Sequence, residues 1–282
     1  MDLPTVESQS RAVADAIGAA REQTPLVPSI TNAVTIDYVA NAQLAVGGSA
    51  AMVHMPDEGE FIARAGAAVY LNVGTLMPVL AETMTRTART LRSCGTPWVV
   101  DPVAIGIGAM RTDILLTFGE CRPTVVRCNA SEAIALARLW GLLDEDAKAG
   151  VRGVDSTDEV DAAREAAVAI ARHTGGAVAV SGKVDLVTDG TTVARCAGGS
   201  ELLTYVTGSG CALGGVTAVY AAVADPFTAA LAATLMFNYA SDRAASVSDA
   251  PASFKVAFID ELFRASKVPD EVAAKGFTLE RA

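Results

Sequence analysis

Short apolar runs separated by amphipathic stretches constrain this chain more than any other feature. Runs at 26–30, 50–53, 67–71, 98–100, 124–126 and 177–180 are the right length for buried strands. Between them lie stretches with helical periodicity, such as 78–94 and 158–174. Strands joined through helices pair in parallel, and a parallel sheet is covered on both faces. The pattern therefore predicts an α/β fold: a mostly parallel central sheet with helices on both faces. The rhythm changes after residue 183. Residues 184–188 and 192–196 flank Asp189-Gly190 and read as a hairpin, with a tight type I′ turn expected at Asp-Gly. From Gly208 onward the chain reads as helix, over 210–223, 226–245 and 251–265. The polar run 144–157 is expected to be a surface loop. No internal repeat or low-complexity linker appears, so residues 1–282 are expected to form one domain.

The chain has 282 residues, 51% hydrophobic and 19% charged, enough for a large core. Mean hydropathy is +0.35, and residues 202–224 carry no charge. A membrane span is rejected for that segment. Its first half is rich in Gly, Thr and Ser, and Asp225-Pro226 closes it, which suits a helix buried in a protein core. A net charge of −10 argues against nucleic acid or an anionic membrane as partner. The start, Met1-Asp2-Leu3-Pro4, lacks the basic and apolar blocks of a signal peptide. Five scattered cysteines show no metal-ligand spacing, as expected of reduced thiols in a cytoplasmic protein. Only His54 and His173 are available as imidazole bases.

In such a sheet, ligands bind outside the carboxyl ends of the strands. Polar or small residues close nearly every strand here: Thr31-Asn32, Met52, Asn72 to Thr75, Asp101, Arg127 to Glu132, and Ser181 to Asp185. Val206-Thr207-Gly208-Ser209-Gly210-Cys211 then leads into the charge-free helix. Glycine at 208 and 210 lets the backbone approach a ligand closely. The free N–H groups of the helix's first turn would face that ligand, a site suited to phosphate. Cys211 falls at its mouth.

These strand ends resemble the hydroxyethylthiazole kinase family, which has a ribokinase-like fold. The matching segments, in order, are Pro25-Leu26-Val27 with Ile30-Thr31-Asn32; Leu71 to Leu76; Asp101-Pro102-Val103; Asn129 to Glu132; Gly153 to Ser156; Val184-Asp185 with Thr188 to Gly190; and Thr207-Gly208 with Gly210-Cys211. The resemblance implies a three-layer fold without a separate lid domain. It implies ATP- and Mg²⁺-dependent phosphorylation of the hydroxyl of 4-methyl-5-(2-hydroxyethyl)thiazole, a step of thiamine synthesis and salvage. It also implies a homotrimer with active sites between subunits. Pro28-Ser29 stand where the family usually has His-Cys, in a segment that lines its thiazole pocket.

Carried onto this sequence, the resemblance places Gly208, Ser209, Gly210 and Cys211 at the moving phosphoryl group. Cys211 stands where related sugar kinases have an aspartate base, and a helix N-terminus lowers a thiol's pKa. Its bland reading is a packing thiol. Asp101 and Glu132 are implied Mg²⁺ carboxylates; the alternatives are a strand-end turn before Pro102 and an Asn129-x-x-Glu132 helix cap. Arg127 and Ser181 would bind nucleotide, although Arg127 could instead pair with an acid. Asn32, Met52 and Gly208 match positions around the thiazole. His54 reads as a surface residue and His173 as a helix-end residue. Two other readings remain. One is an ATP- or ADP-dependent NAD(P)H-hydrate dehydratase-like lyase, which would need aspartate at position 211. The other is a non-catalytic thiazole- or nucleotide-binding protein.

Overall fold

A computed structural model describes residues 3–143 and 156–282 of the chain. The first half alternates strand and helix: α1 (Val6–Gln23), β1 (Leu26–Ile30), α2 (Ile36–Ala45), β2 (Ser49–Met52), α3 (Pro56–Ala65), β3 (Val69–Asn72), α4 (Pro78–Cys94) and β4 (Trp98–Asp101). Then come α5 (Ala109–Cys121), β5 (Val125–Asn129), α6 (Ala130–Leu139), α7 (Ser156–Thr174) and β6 (Ala177–Ser181). Strands β7 (Val184–Thr188) and β8 (Thr192–Ala197) precede a 3₁₀ turn at Glu201–Tyr205. The chain closes with α8 (Ser209–Ala221), α9 (Pro226–Val247), α10 (Pro251–Ala265), α11 (Pro269–Ala273) and β9 (Thr278–Arg281).

All nine described strands form one sheet in the order β2-β1-β3-β4-β5-β6-β7-β8-β9. Pairing is parallel from β2 to β6 and antiparallel from β6 to β9. Two cores lie on opposite faces. Helices α1, α2, α8, α9, α10 and α11 cover one, and α3 to α7 cover the other. The strands serve both by their period of two. In β3, Val69 and Leu71 join the α3–α7 core while Tyr70 joins the α8 core. In β4, Trp98 and Val100 point one way and Val99 the other. This is the ribokinase-like layering expected from the sequence.

Most of the charge-free segment, Ser209–Ala221, is a core helix. Every residue of α8 from Cys211 to Ala221 is buried. No described helix is long and apolar enough to cross a membrane. The Asp225 carboxylate accepts the N–H groups of Phe227 and Thr228, and Pro226 occupies the first turn of α9, which separates α8 from α9. Small residues let α8 lie directly on the sheet. A Cβ at Gly214 would sit 2.5 Å from the Tyr70 ring.

Three local features differ from expectation. The β7–β8 connection has three residues, 189–191, and only Gly190 takes a positive φ. A type I′ turn needs two such residues, so the connection is instead held by the Asp189 carboxylate, which accepts from the N–H groups of Thr191 and Thr192. Strand β9 was not anticipated; it adds to the β8 edge through Thr192–Arg281 to Arg195–Thr278. The expected loop at 144–157 falls outside the described residues, except Ser156 and Thr157, which begin α7.

Candidate active site

The carboxyl ends of β4, β5 and β6 set three side chains in a row. Asp101 is fully buried at the end of β4. The Arg127 guanidinium, on β5, lies 3.5 Å from Asp101 Oδ2 and donates to Ser181 Oγ, at the end of β6, over 2.9 Å. The acid-pairing expected as an alternative for Arg127 is therefore present, yet its Nε has no hydrogen-bond partner among the described residues. Burial pushes the Asp101 carboxyl up to about 6, and the Arg127 charge opposes that shift.

The N-terminus of α8 closes over this row. Gly208 caps the helix at φ 90°, where a Cβ would lie 2.5 Å from the Thr35 methyl. Gly210 lies against Arg127: a Cβ there would sit 2.3 Å from Nη1. Only glycine lets the guanidinium lie this close to the helix backbone. Ser209 serves the turn itself. Its hydroxyl donates to the carbonyls of Leu203 and Val206, and its N–H to Val206. The first helical bond of α8 runs from Ala212 N–H to the Gly208 carbonyl. Helix geometry leaves the N–H groups of Gly210 and Cys211 without acceptors inside the helix.

Cys211 is buried just behind that turn. Asn72 Nδ2 lies 3.2 Å and Asn32 Nδ2 3.4 Å from its sulfur. The expectation of a thiol acidified by the helix N-terminus is corrected here. Burial, with the Asp101 charge second, raises the Cys211 pKa above its ordinary value; the amide donors only reduce the rise.

The structure thus brings Asn32, Asp101, Arg127, Ser181, Gly208, Ser209, Gly210 and Cys211 to one edge. Met52 ends β2 one strand beyond Asn32 and packs, half-buried, against the α8-side core. Ser29 is buried and donates to Gln43 Oε1. Glu132 fills the capping role: Asn129 N–H donates to its Oε2, and Glu132 N–H donates to Asn129 Oδ1. His54 is half-buried, with its N–H on Glu58, and His173 Nε2 lies 3.1 Å from the Gly119 carbonyl.

A cation would find two hard oxygens on these strand ends. Asp101 Oδ1 is buried with no partner among the described residues, and only Oε2 of Glu132 is used in its cap. Two carboxylates plus water and phosphate suit Mg²⁺, which keeps most of its waters. No group of three or more His, Cys, Asp or Glu residues placed to hold a metal occurs among the described residues.

A cavity of about 790 Å³ opens on the β6–β7 side. Arg127, Ser181, Ser209 and Gly210 line it, together with Asp185, Phe237 and Asn238. That volume falls within the range of small-molecule sites. Asp185, Asn238, Tyr70 and Asn72 received no role from sequence reasoning. Asn72 and Asp185 stood among the polar strand ends; Tyr70 and Asn238 were hidden inside apolar runs.

The chain matches the model of the hydroxyethylthiazole kinase family over residues 17–267. A hydroxyethylthiazole kinase of Bifidobacterium adolescentis is 50% identical over 273 residues, covering 93% of this chain and 92% of that protein. The structure of a hydroxyethylthiazole kinase from Pyrococcus horikoshii superposes with a TM-score of 0.84 at 30% identity, covering 96% of this chain and 99% of that one. A ribokinase-like superfamily protein from Enterococcus faecalis, 10% identical with a TM-score of 0.61 over 93% of this chain and 95% of its own, shares the fold. A match running from α1 past the end of α10, with a relative half identical almost end to end, means that this chain belongs to the hydroxyethylthiazole kinase family.

Proposed function

We propose that this protein transfers the γ-phosphoryl group of ATP to the hydroxyl of 4-methyl-5-(2-hydroxyethyl)thiazole, as a single-domain cytoplasmic enzyme of thiamine synthesis and salvage. One observation carries the chemistry. The N-terminus of α8 separates a large cavity, walled by Arg127, Ser181 and Gly210, from a buried polar set made of Cys211, Asn32 and Asn72. We assign nucleotide to the first side and the small alcohol to the second, with the turn between them.

In this reading Arg127 and Ser181 hold phosphate oxygens from the cavity side. The N–H groups of Gly210 and Cys211 hold the moving phosphoryl group, where helix N-termini favour negative charge. Asn32, Met52 and Gly208 position the thiazole. Asp101 and Glu132 would hold Mg²⁺, whose charge offsets that of the phosphates when it is bound. The alcohol oxygen forms a bond to the γ-phosphorus and gives up its proton, which ends in solvent; the bond from that phosphorus to the β–γ bridging oxygen breaks, and ADP leaves with the electron pair. Phosphoryl transfer depends chiefly on positioning and charge stabilisation. The raised Cys211 thiol is mostly protonated at neutral pH and is a weak proton acceptor. Positioned N–H groups contribute more than the sulfur.

The active assembly is a homotrimer in this proposal. Val34, Tyr205 and Val256 are each about two-thirds exposed, and α10 packs against both α2 and the 3₁₀ turn. Exposed apolar side chains of this size support an interface with other copies of the chain.

Purified protein with MgATP should convert the thiazole alcohol to its monophosphate, detected by mass spectrometry. Absence of product across a range of pH and divalent cations would refute the proposal. Cys211→Ala should slow turnover by about 10- to 10²-fold, at or below the smallest loss expected when a true general base is removed. Cys211→Asp should be more active than the alanine variant, because a carboxylate accepts a proton without first losing one. An inactive aspartate variant that still binds nucleotide would show that position 211 accepts no proton. Light scattering should give three times the chain mass at micromolar concentration; a stable monomer would contradict the trimer.

A further inference from the structure

Asn72 and Tyr70 have no part in the chemistry described so far, yet both are fully buried within the site. Their hydrogen bonds run in one direction only. Gly74 N–H donates to Asn72 Oδ1 over 2.9 Å. A backbone N–H cannot accept, so this bond fixes which end of the amide is oxygen. Nδ2 must then face the other way. It carries two protons and has two acceptors: the Tyr70 hydroxyl at 2.8 Å and the Cys211 sulfur at 3.2 Å. Asn32 is oriented in turn, since its Nδ2 donates to Asn72 Oδ1 over 3.1 Å and to the same sulfur. The sulfur therefore receives two amide donors.

The Tyr70 hydroxyl accepts from Asn72, so its own proton goes to Asp101 Oδ2, 3.1 Å away. Tyr70 and Asn72 are two residues apart on β3 and share a face. The tyrosine ring reaches the strand end because α8 presents glycine at 214, where any Cβ would collide with it. Two elements thus cooperate to bring one hydroxyl into an otherwise apolar layer.

We propose that Asn72 is a positioning residue that holds the Cys211 sulfur as a hydrogen-bond acceptor facing the substrate alcohol, and that Tyr70 locks the Asn72 amide and the Asp101 carboxylate into the same line. The inference rests on the kinase reading above and adds two residues to it. Asn72→Asp keeps the oxygen that serves Gly74 and removes both donors. Tyr70→Phe keeps the ring under Gly214 and removes one hydroxyl.

The experiment is steady-state kinetics on the full-length protein with MgATP and hydroxyethylthiazole, using wild type, Asn72→Asp, Cys211→Ala, the Asn72→Asp/Cys211→Ala pair, and Tyr70→Phe. Asn72→Asp should lower kcat about tenfold, yet change it by less than about threefold once Cys211 is alanine, because residues acting through one group are not additive. Tyr70→Phe should lower kcat by about three- to tenfold and leave KM for ATP within about twofold, the signature of an interaction made in the transition state. Equal losses from Asn72→Asp in both backgrounds, or none, would overturn the proposal by leaving the asparagine a purely structural part. If Asn72→Asp does not fold, Tyr70→Phe decides alone, and wild-type kcat in that variant overturns the proposal. An inactive wild type would instead refute the kinase reading, and this inference with it.

Discussion

The Arg127 guanidinium joins more of this molecule than any other group. It sits between the buried Asp101 carboxylate on β4, the Ser181 hydroxyl on β6 and the Gly210 backbone of α8. One side chain thus ties three neighbouring strand ends to the helix that closes the core on that face. Removing one member of a buried ion pair leaves an uncompensated charge, at a cost of about 3–5 kcal/mol. The pair is still not ideal as a structural bond. Its 3.5 Å separation is long, and neither Asp101 Oδ1 nor Arg127 Nε has a partner among the described residues. Buried polar atoms are nearly always satisfied in finished structures. Orphaned donors and acceptors of both signs at one strand edge are what a phosphate and its cation would satisfy.

Dielectric environment sets how the chemistry is divided. Burial raises both Asp101 and Cys211, and the Asp101 charge raises Cys211 further. A site that keeps its thiol protonated cannot rely on that thiol as a strong base. It can rely on fixed dipoles. The N–H groups at the start of α8 are held in place by the bonds of Ser209 to Leu203 and Val206. Those donors need no reorganisation during the reaction. The amides of Asn32 and Asn72 extend the same device to the Cys211 sulfur.

Much of this was legible from residues alone, and for physical reasons. Helix α4 was read at its true limits because Pro78 starts it and Gly95, at φ 73°, ends it. The apolar runs gave the parallel strands, since burial on both faces leaves little other choice of residue. The polar strand ends gave most of the site, because topology collects them at one edge. The β7–β8 turn was missed for a local reason, the Asp189 carboxylate; the other misses depend on contacts distant in sequence. Strand β9, Thr-Leu-Glu-Arg, has no apolar alternation and forms because β8 offers an open edge. The rise of the Cys211 thiol could not be seen without knowing that the fold buries it and brings Asp101 near it. Tyr70 reads as one more apolar residue of β3 until Gly214 is known to lie over its ring.

The central claim is that Arg127 and the α8 backbone act as one phosphate-holding unit, made possible by glycine at 210. Calorimetric titration with a non-hydrolysable ATP analogue and Mg²⁺ tests it most directly, on wild type, Arg127→Lys, Gly210→Ala and the pair combined. Lysine keeps a positive charge for Asp101 but loses the planar fork, and alanine pushes the guanidinium away. Each single substitution should weaken binding by at least about tenfold, and the double should bind within about threefold of the weaker single, because both break the same contact. Wild-type affinity in either single variant, or losses that simply multiply, would contradict the account.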